Sequence, residues 1–317
     1  MSRVSEALGL HLDRESLAIA RGDTVSVAPV WIATERQAAG PMVLGAQRIL
    51  DALRERLAPA IAADARAVFA IPADFDAAAV ARLARVCSMV GLADVAYVDA
   101  AALTAAVMRA PEAACVLQLG WRDFIVSRVA VDKQYARQAT WLHASTSLTR
   151  LHDRWIECVA AAMVRRTRFD PLHDRDGEQA LFAQLPAALD ALQHSDVVRF
   201  AVQSASTTFT VELGARQFEE AAATIYTTII DALLAAQSAE RPSPCIVPQA
   251  VIRWPGFLAR LRVAAPAEVR ILPAELIARA AADLVGKLAV GRAYWRIESL
   301  ASPRYGGTPD YSIDGAS

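Results

Sequence analysis

The order of elements along the chain predicts an α/β fold built as two similar lobes. Three observations predict it. A run of three short strands, then helix, strand, helix, strand and helix, occurs twice. The strand segments are short apolar or alternating runs closed by Gly, Pro or Asp, whereas the helical segments carry apolar residues three and four apart. The 317 residues, 55% of them hydrophobic, supply core material for two lobes at ~150 residues each. No sequence identity links the halves, so the repeat is one of pattern, and its period is too long for a solenoid.

The first half reads as follows. Ala7–Leu12, Ser16–Ala20 and Thr24–Ile32 are predicted strands, with Gly22-Asp23 as the hairpin turn between the second and third. Ile49, Leu50, Leu53 and Leu57 recur at helical spacing and predict a helix over Ala46–Leu57. Ala67–Ile71 is a strand stopped by Pro72. Asp76 caps a helix over Ala77–Val90 that ends at Gly91. Val95–Val98 is a strand, and Asp99 caps a helix over Ala100–Met108.

In the second half, Ala114–Leu119, Phe124–Val131 and Tyr135–Trp141 are strands and Ser147–Arg165 is a long helix. After an insertion come strand Cys245–Val247, a helix near Pro255–Leu261, strand Val269–Leu272 and helix Ala274–Val290. The insertion, about 166–241, holds a helix over Gly177–Leu192, a hairpin of Val197–Val202 with Thr207–Leu213, and a helix over Ala215–Gln237. That last helix aligns Phe218, Ala222, Ile225, Ile229 and Leu233 on one face. The end of the chain has Pro, Gly and Ser with little aliphatic content and reads as a loose tail or a docking peptide.

Composition narrows the function classes. A net charge of −1 gives no field for nucleic acid or an anionic membrane. No apolar run reaches the ~18–20 residues that span a bilayer. The first residues, with Glu6 among them, lack the long apolar core of a signal peptide, so the cytoplasm is the expected compartment. Cys87, Cys115, Cys158 and Cys245 lie far apart without a Cys-x-x-Cys pair and read as buried, reduced thiols. Only Lys133 and Lys287 are lysines, a mark of coding bias in a GC-rich bacterial genome. The 14 glycines fall well below the roughly 7% of average proteins, and phosphate-cradling loops are made of glycine.

Several segments resemble the nucleotide-binding domain of DnaK-type heat-shock chaperones, within the actin-like superfamily. Ala70-Ile-Pro-Ala-Asp-Phe-Asp76, with the helix reaching Val90-Gly-Leu92, is similar to that family's T-V-P-A-Y-F-N … A-G-L. Tyr97-Val-Asp-Ala-Ala-Ala-Leu103 stands where the family has I-N-E-P-T-A-A-A-L. Leu117-Gln-Leu-Gly-Trp-Arg-Asp-Phe-Ile-Val-Ser127 stands where it has F-D-L-G-G-G-T-F-D-V-S. Arg168-Phe-Asp-Pro171, the insertion with Ala215-Arg-Gln-Phe-Glu-Glu220, and Arg253-Trp-Pro255 follow in the family's order. The resemblance covers residues 5–290; each motif is weak and their order is the signal.

The resemblance implies an actin-like two-lobed fold, each lobe a βββαβαβα ribonuclease-H-like unit, with a helix-plus-hairpin insertion in the second. It divides the chain into a first lobe over 1–110 and a second over 111–272, a closing helix over 273–295 and a flexible tail over 296–317. The first lobe's insertion is nearly absent, since about twenty residues separate Gly45 from Arg66, and the expectation is a chain without the family's peptide-binding domain.

In the resembled family two glycine-rich hairpins clasp phosphates through main-chain N–H groups, and an Asp organises metal and water. Such close approach needs glycine, because a side chain would fill the phosphate's space. The first hairpin, G-I-D-L-G-T-T there, is Gly9-Leu-His-Leu-Asp-Arg-Glu15 here. His11 stands at the acid position, Asp13 replaces a glycine, and Arg14 and Glu15 replace the threonines. In the second, Gln118 stands at an acid position; Gly120 is kept, and Trp121, Arg122 and Asp123 replace Gly-Gly-Thr. The purine-side G-G-S-T becomes Gln249-Ala-Val-Ile252 after Pro248. One such donor is worth ~3–4 kcal/mol at a transition state, so losing three loops and the metal-organising acid removes the hydrolytic machinery. The expectation is a pseudo-ATPase: no catalytic residue, no metal, no cofactor, and Arg14 and Arg122 paired with Asp13, Glu15 and Asp123 across a closed cleft, with a residual role of the two arginines as anion contacts as the alternative.

Other signals are weaker. His152-Asp-Arg154 and His173-Asp-Arg175 read as solvated helix and loop residues, because no nucleophile elbow accompanies them. Arg165-Arg166-x-Arg168 is too short for a nucleic-acid footprint and reads as a solvated helix end. Trp141, Trp155 and Trp254 read as core or interface anchors. Tyr294 and Trp295, with Ile297 and Tyr305 of the tail, form a candidate partner surface.

The resulting expectation is a catalytically inactive DnaK- or actin-like scaffold or adaptor that binds protein partners in a bacterial complex, without nucleic acid or a membrane span, and compatible with a homo-oligomer. The alternatives are a divergent chaperone-like ATPase with ATP and magnesium as cofactors, and an actin-like cytoplasmic component of a pilus or secretion assembly.

Overall fold

In the computed structural model the described residues are 7–12, 16–29, 54, 65–120, 123–142, 146–173, 175–237, 242–265 and 267–298. The first five strands are β1 (Ala7–Leu12), β2 (Ser16–Arg21), β3 (Thr24–Pro29), β4 (Arg66–Ile71) and β5 (Asp94–Asp99). Between β4 and β5 lies α1 (Ala77–Met89), and after β5 comes α2 (Ala100–Val107). Then come β6 (Ala113–Leu119), β7 (Phe124–Val131), β8 (Gln134–Leu142) and the helix α3 (Leu148–Thr167). The inserted elements are α4 (Arg175–Ala191), β9 (Val197–Ser204), β10 (Thr207–Gly214) and α5 (Ala215–Ala235). The chain continues through β11 (Cys245–Pro248), a 3-10 turn (Gln249–Arg253), α6 (Phe257–Ala264), β12 (Val269–Leu272) and α7 (Ala274–Asp283). Two short strands follow, β13 (Ala293–Tyr294) and β14 (Arg296–Glu298).

The chain is α/β with mixed sheets. One six-stranded sheet runs β13-β5-β4-β1-β2-β3 and the other β12-β11-β6-β7-β8-β14. Their five main strands have the same order and the same directions. In each, the central strand (β1 or β6) pairs antiparallel with the next strand, which pairs antiparallel with the third. On its other side the central strand pairs parallel with the fourth, and the fourth parallel with the fifth. Hairpin register equates Leu12↔Leu17 with Leu119↔Phe124, so His11 and Gln118 are equivalent, as are Gly9 and Val116.

Local chemistry explains most boundaries. Asp76, Asp99 and Ser147 accept hydrogen bonds from the main-chain N–H groups of Ala79, Ala102 and Arg150, at 2.7, 2.9 and 3.1 Å. Each satisfies a donor that the first helical turn leaves open. Gly22 turns the β2–β3 hairpin at φ 55° and Gly91 ends α1 at φ 86°, a region open to glycine at no steric cost. The predicted helix over 46–57 lies outside the described residues apart from Arg54.

Strand alternation splits each sheet into two faces. On the first sheet Leu8, Leu10, Leu12, Phe69 and Ile71 pack with Leu83 and Cys87 of α1. On the second, Cys115, Leu117, Leu119, Phe124 and Val126 pack with α3, α5 and the inserted hairpin. There Trp155 is fully buried, and its indole N–H donates to the Phe218 carbonyl at 3.0 Å. The opposite faces share one core. Val68, Ala70, Ala96 and Val98 of the first sheet join Ala114, Val116 and Val129 of the second through α2 and α7. The helices cross over: α2 follows the first sheet and packs on β6, β7 and β8, whereas α7 follows the second and packs on β1, β2 and β4.

Two expectations need correction. The closing helix was expected over 273–295, but α7 ends at Asp283. Gly286 and Gly291, at φ 88° and 72°, turn the chain, and 293–298 become edge strands instead of helix and tail. The rest of the expected tail lies outside the described residues. Also, His152 and Asp153 are buried instead of solvated. His152 falls on the apolar stripe of α3 with Leu148, Leu151 and Trp155, and its ring lies 5.6 Å from that of Trp155. Arg165 and Arg166 do end α3 on the exposed side, favourable beside the helix C-terminus.

Candidate functional site

The candidate site lies where the two central strands run out. β1 and β6 each end in a hairpin turn, and each presents one polar residue one position before its last. His11 is 9% exposed and Gln118 is 8% exposed. Alternation puts both on the faces covered by α2 and α7, since their neighbours Leu10 and Leu12, or Leu117 and Leu119, belong to the opposite faces. His11 is flanked by Ala18 and Ala70, and Gln118 by Ile125. Among the described residues Gln118 Oε1 and the fully buried Ser127 Oγ have no hydrogen-bond partner. Ser127 sits across from Val116 on the same face.

The glycines beside these residues are filled by the chain itself. A Cβ on Gly9 would collide with the Ala278 carbonyl oxygen and the Ala282 nitrogen, because the backbone of α7 lies directly on β1. A Cβ on Gly120 would run into the Ile125 side chain and come within 2.6 Å of the Asp123 carbonyl oxygen. Both positions therefore demand glycine for packing, whatever else they do. Gln249 is exposed and opens the 3-10 turn at the end of β11. Asp13, Arg14, Glu15, Trp121 and Arg122 lie outside the described residues, so the expected pairing across a closed cleft lies there too. Asp123 is half-buried in the β6–β7 turn.

One buried acid was not singled out as part of the site. Asp99, at the end of β5, is fully buried. Its Oδ1 caps α2, and its Oδ2 accepts from Arg137 Nε of β8 at 2.6 Å. Arg137 Nη1 also donates to Thr140 Oγ1 at 2.7 Å. The carboxylate is thus held by a helix cap and a guanidinium. Sequence reasoning found the cap, but Arg137 is 38 residues away and only the fold brings it near.

The candidate partner residues lie on the edges of the sheets, away from the central strands and beside the Asp99–Arg137 pair. Tyr294 is half-buried, and its hydroxyl accepts from the Ala289 N–H at 2.7 Å. Ile297 is buried in the shared core. Only Trp295 stays open, at 40% exposure, with the Arg137 guanidinium 5.7 Å from its ring centre. Tyr305 lies outside the described residues.

The thiols are held protonated by their surroundings. Burial pushes Cys87 and Cys115 up to about 12 from 9.0, and raises Cys158 and Cys245 as well. Such thiols are poor nucleophiles. Among the described residues no group of three or more His, Cys, Asp or Glu could hold a metal ion, and no helix is long and apolar enough to cross a membrane. No protein-family model matches the chain, and no curated protein matches it.

Proposed function

We propose that this chain is a catalytically silent, DnaK- and actin-like two-lobed scaffold that binds a protein partner. The reading starts from the resemblance of its ordered motifs and is supported by the repeated strand order and the crossed helices. One observation carries the silent part. At the equivalent ends of the two central strands stand His11 and Gln118, both more than nine-tenths buried, where the resembled family has carboxylates. Neither side chain supplies the fixed negative charge that gathers a hard divalent cation and its waters. The buried acid nearest in kind, Asp99, is engaged by Arg137 and the cap of α2.

Titration calorimetry with ATP and magnesium tests this directly. No heat and no shift in melting temperature are expected at millimolar nucleotide. Micromolar binding, or turnover above the uncatalysed rate, overturns it. For the binding half, a stoichiometric protein partner is expected to co-purify from the native host in nucleotide-free buffer. Release of that partner by ATP would instead establish a working nucleotide switch.

A further inference from the structure

Chain segment 291–298 joins the two sheets within a few residues. Gly291 N donates to Val95 O at 2.8 Å and Tyr97 N donates to Arg292 O at 3.0 Å, so the segment first extends the edge of the first sheet beside β5. One residue later it pairs antiparallel with β8, at the edge of the second sheet, through Arg296↔Ala136, Ile297↔Tyr135 and Glu298↔Gln134. Tyr294 and Ile297 turn into the core that the sheets share. Trp295, at the crossing, turns outward beneath Arg137.

The same Arg137 is a second link between the same two edges. It belongs to β8, and its Nε binds Asp99 at the end of β5. One guanidinium therefore holds the end of the first sheet, a strand of the second and the segment that runs between them. Asp99 is fully buried and the Arg137 side chain is 23% exposed, so the pair is shielded from solvent and leaving either partner alone is costly. An edge strand that belongs to both sheets also resists sliding of one against the other, because any rotation must break main-chain hydrogen bonds on one side or the other.

We propose that residues 291–298, pinned by Arg137, are a clasp that holds the two sheets at one fixed angle. It goes beyond the scaffold reading and does not depend on it, since the clasp concerns motion between the sheets whether or not a nucleotide binds.

Spin labels on Asp23→Cys, in the β2–β3 turn, and Lys133→Cys, in the β7–β8 turn, measure the angle in the full chain by pulsed electron resonance. A single narrow distance distribution is expected for the parent. Trp295→Ala and Arg137→Met are each expected to broaden it and to speed amide exchange at Tyr97 at least tenfold. Trp295 is partly exposed, so Trp295→Ala keeps the test decisive if Arg137→Met fails to fold. A folded Trp295→Ala chain with an unchanged distribution and unchanged Tyr97 exchange overturns the clasp, as does a broad distribution in the parent.

Discussion

The two sheets share strand order and register, yet they meet their covering helices differently. On the first sheet the face toward α7 is made of Gly9, Ala18 and Ala20, and the helix backbone rests on the strand itself. At the equivalent positions the second sheet has Val116, Ile125 and Ser127, and α2 packs there through side chains. The opposite faces reverse the contrast. Among the described residues the first sheet's carries α1, whereas the second sheet's supports α3, α5 and the inserted hairpin in a much larger aromatic core. One topology thus tolerates two packing solutions, provided that each face closes without voids.

Exchanging residues between the equivalent positions breaks the comparison most sharply. Gly9→Val is expected to cost more than ~4 kcal/mol, because a side chain there meets helix backbone that has no room to move. The counterpart Val116→Ala loses only buried methyl groups and is expected to cost ~2 kcal/mol. Urea midpoints measure both; a Gly9→Val chain within about 1 kcal/mol of the parent would show that α7 does not lie on β1.

Trp155→Ala is expected to cost ~3–5 kcal/mol, through the cavity and the loss of the buried indole hydrogen bond to the Phe218 carbonyl. Its value locates the stability of the second sheet's outer core.

Each sheet also carries one strongly raised thiol facing its outer core, Cys87 of α1 and Cys115 of β6. The folded chain keeps these protons after the unfolded chain has lost them near 9.0, and both are released near about 12. Stability is therefore whole below pH ~9 and falls above it, by up to ~1.4 kcal/mol per pH unit per thiol. Denaturation midpoints at rising pH are expected to show that fall, and Cys87→Ala or Cys115→Ala each to reduce its slope. A slope that both variants leave untouched would place the alkaline sensitivity elsewhere.

The smallest effects are at the caps. Asp76→Ala in the first half and Ser147→Ala in the second are each expected to cost ~1 kcal/mol, read by thermal unfolding. Near-equal values would show that the halves differ in packing and not in local helix signals.

Local chemistry was legible in the residues. β1, β7 and β12 lie where alternation, turns and flanking Gly or Pro put them, and Asp76, Asp99 and Ser147 cap as expected. The end of the chain was not legible. The run Ala274–Val290 keeps helical composition past Asp283, and the pairing of 293–298 depends on edges supplied by β5 and β8. The burial of His152 was legible in periodicity, since its spacing from Leu148 and Trp155 places it on the apolar stripe of α3, whereas the His-Asp-Arg motif points to solvent.

The amino-acid order by itself determined most elements, their repeated order, and the presence of His11, Asp13, Gln118 and Trp121 at positions where the resembled family carries acids and glycines. These depend on interactions a few residues apart, which a linear pattern records. Only the tertiary structure decided that Gly9 serves α7, that Arg137 holds Asp99 and that Tyr294 and Ile297 face inward between two sheets. Those contacts join residues far apart in the chain, and their partners exist only once the sheets have formed.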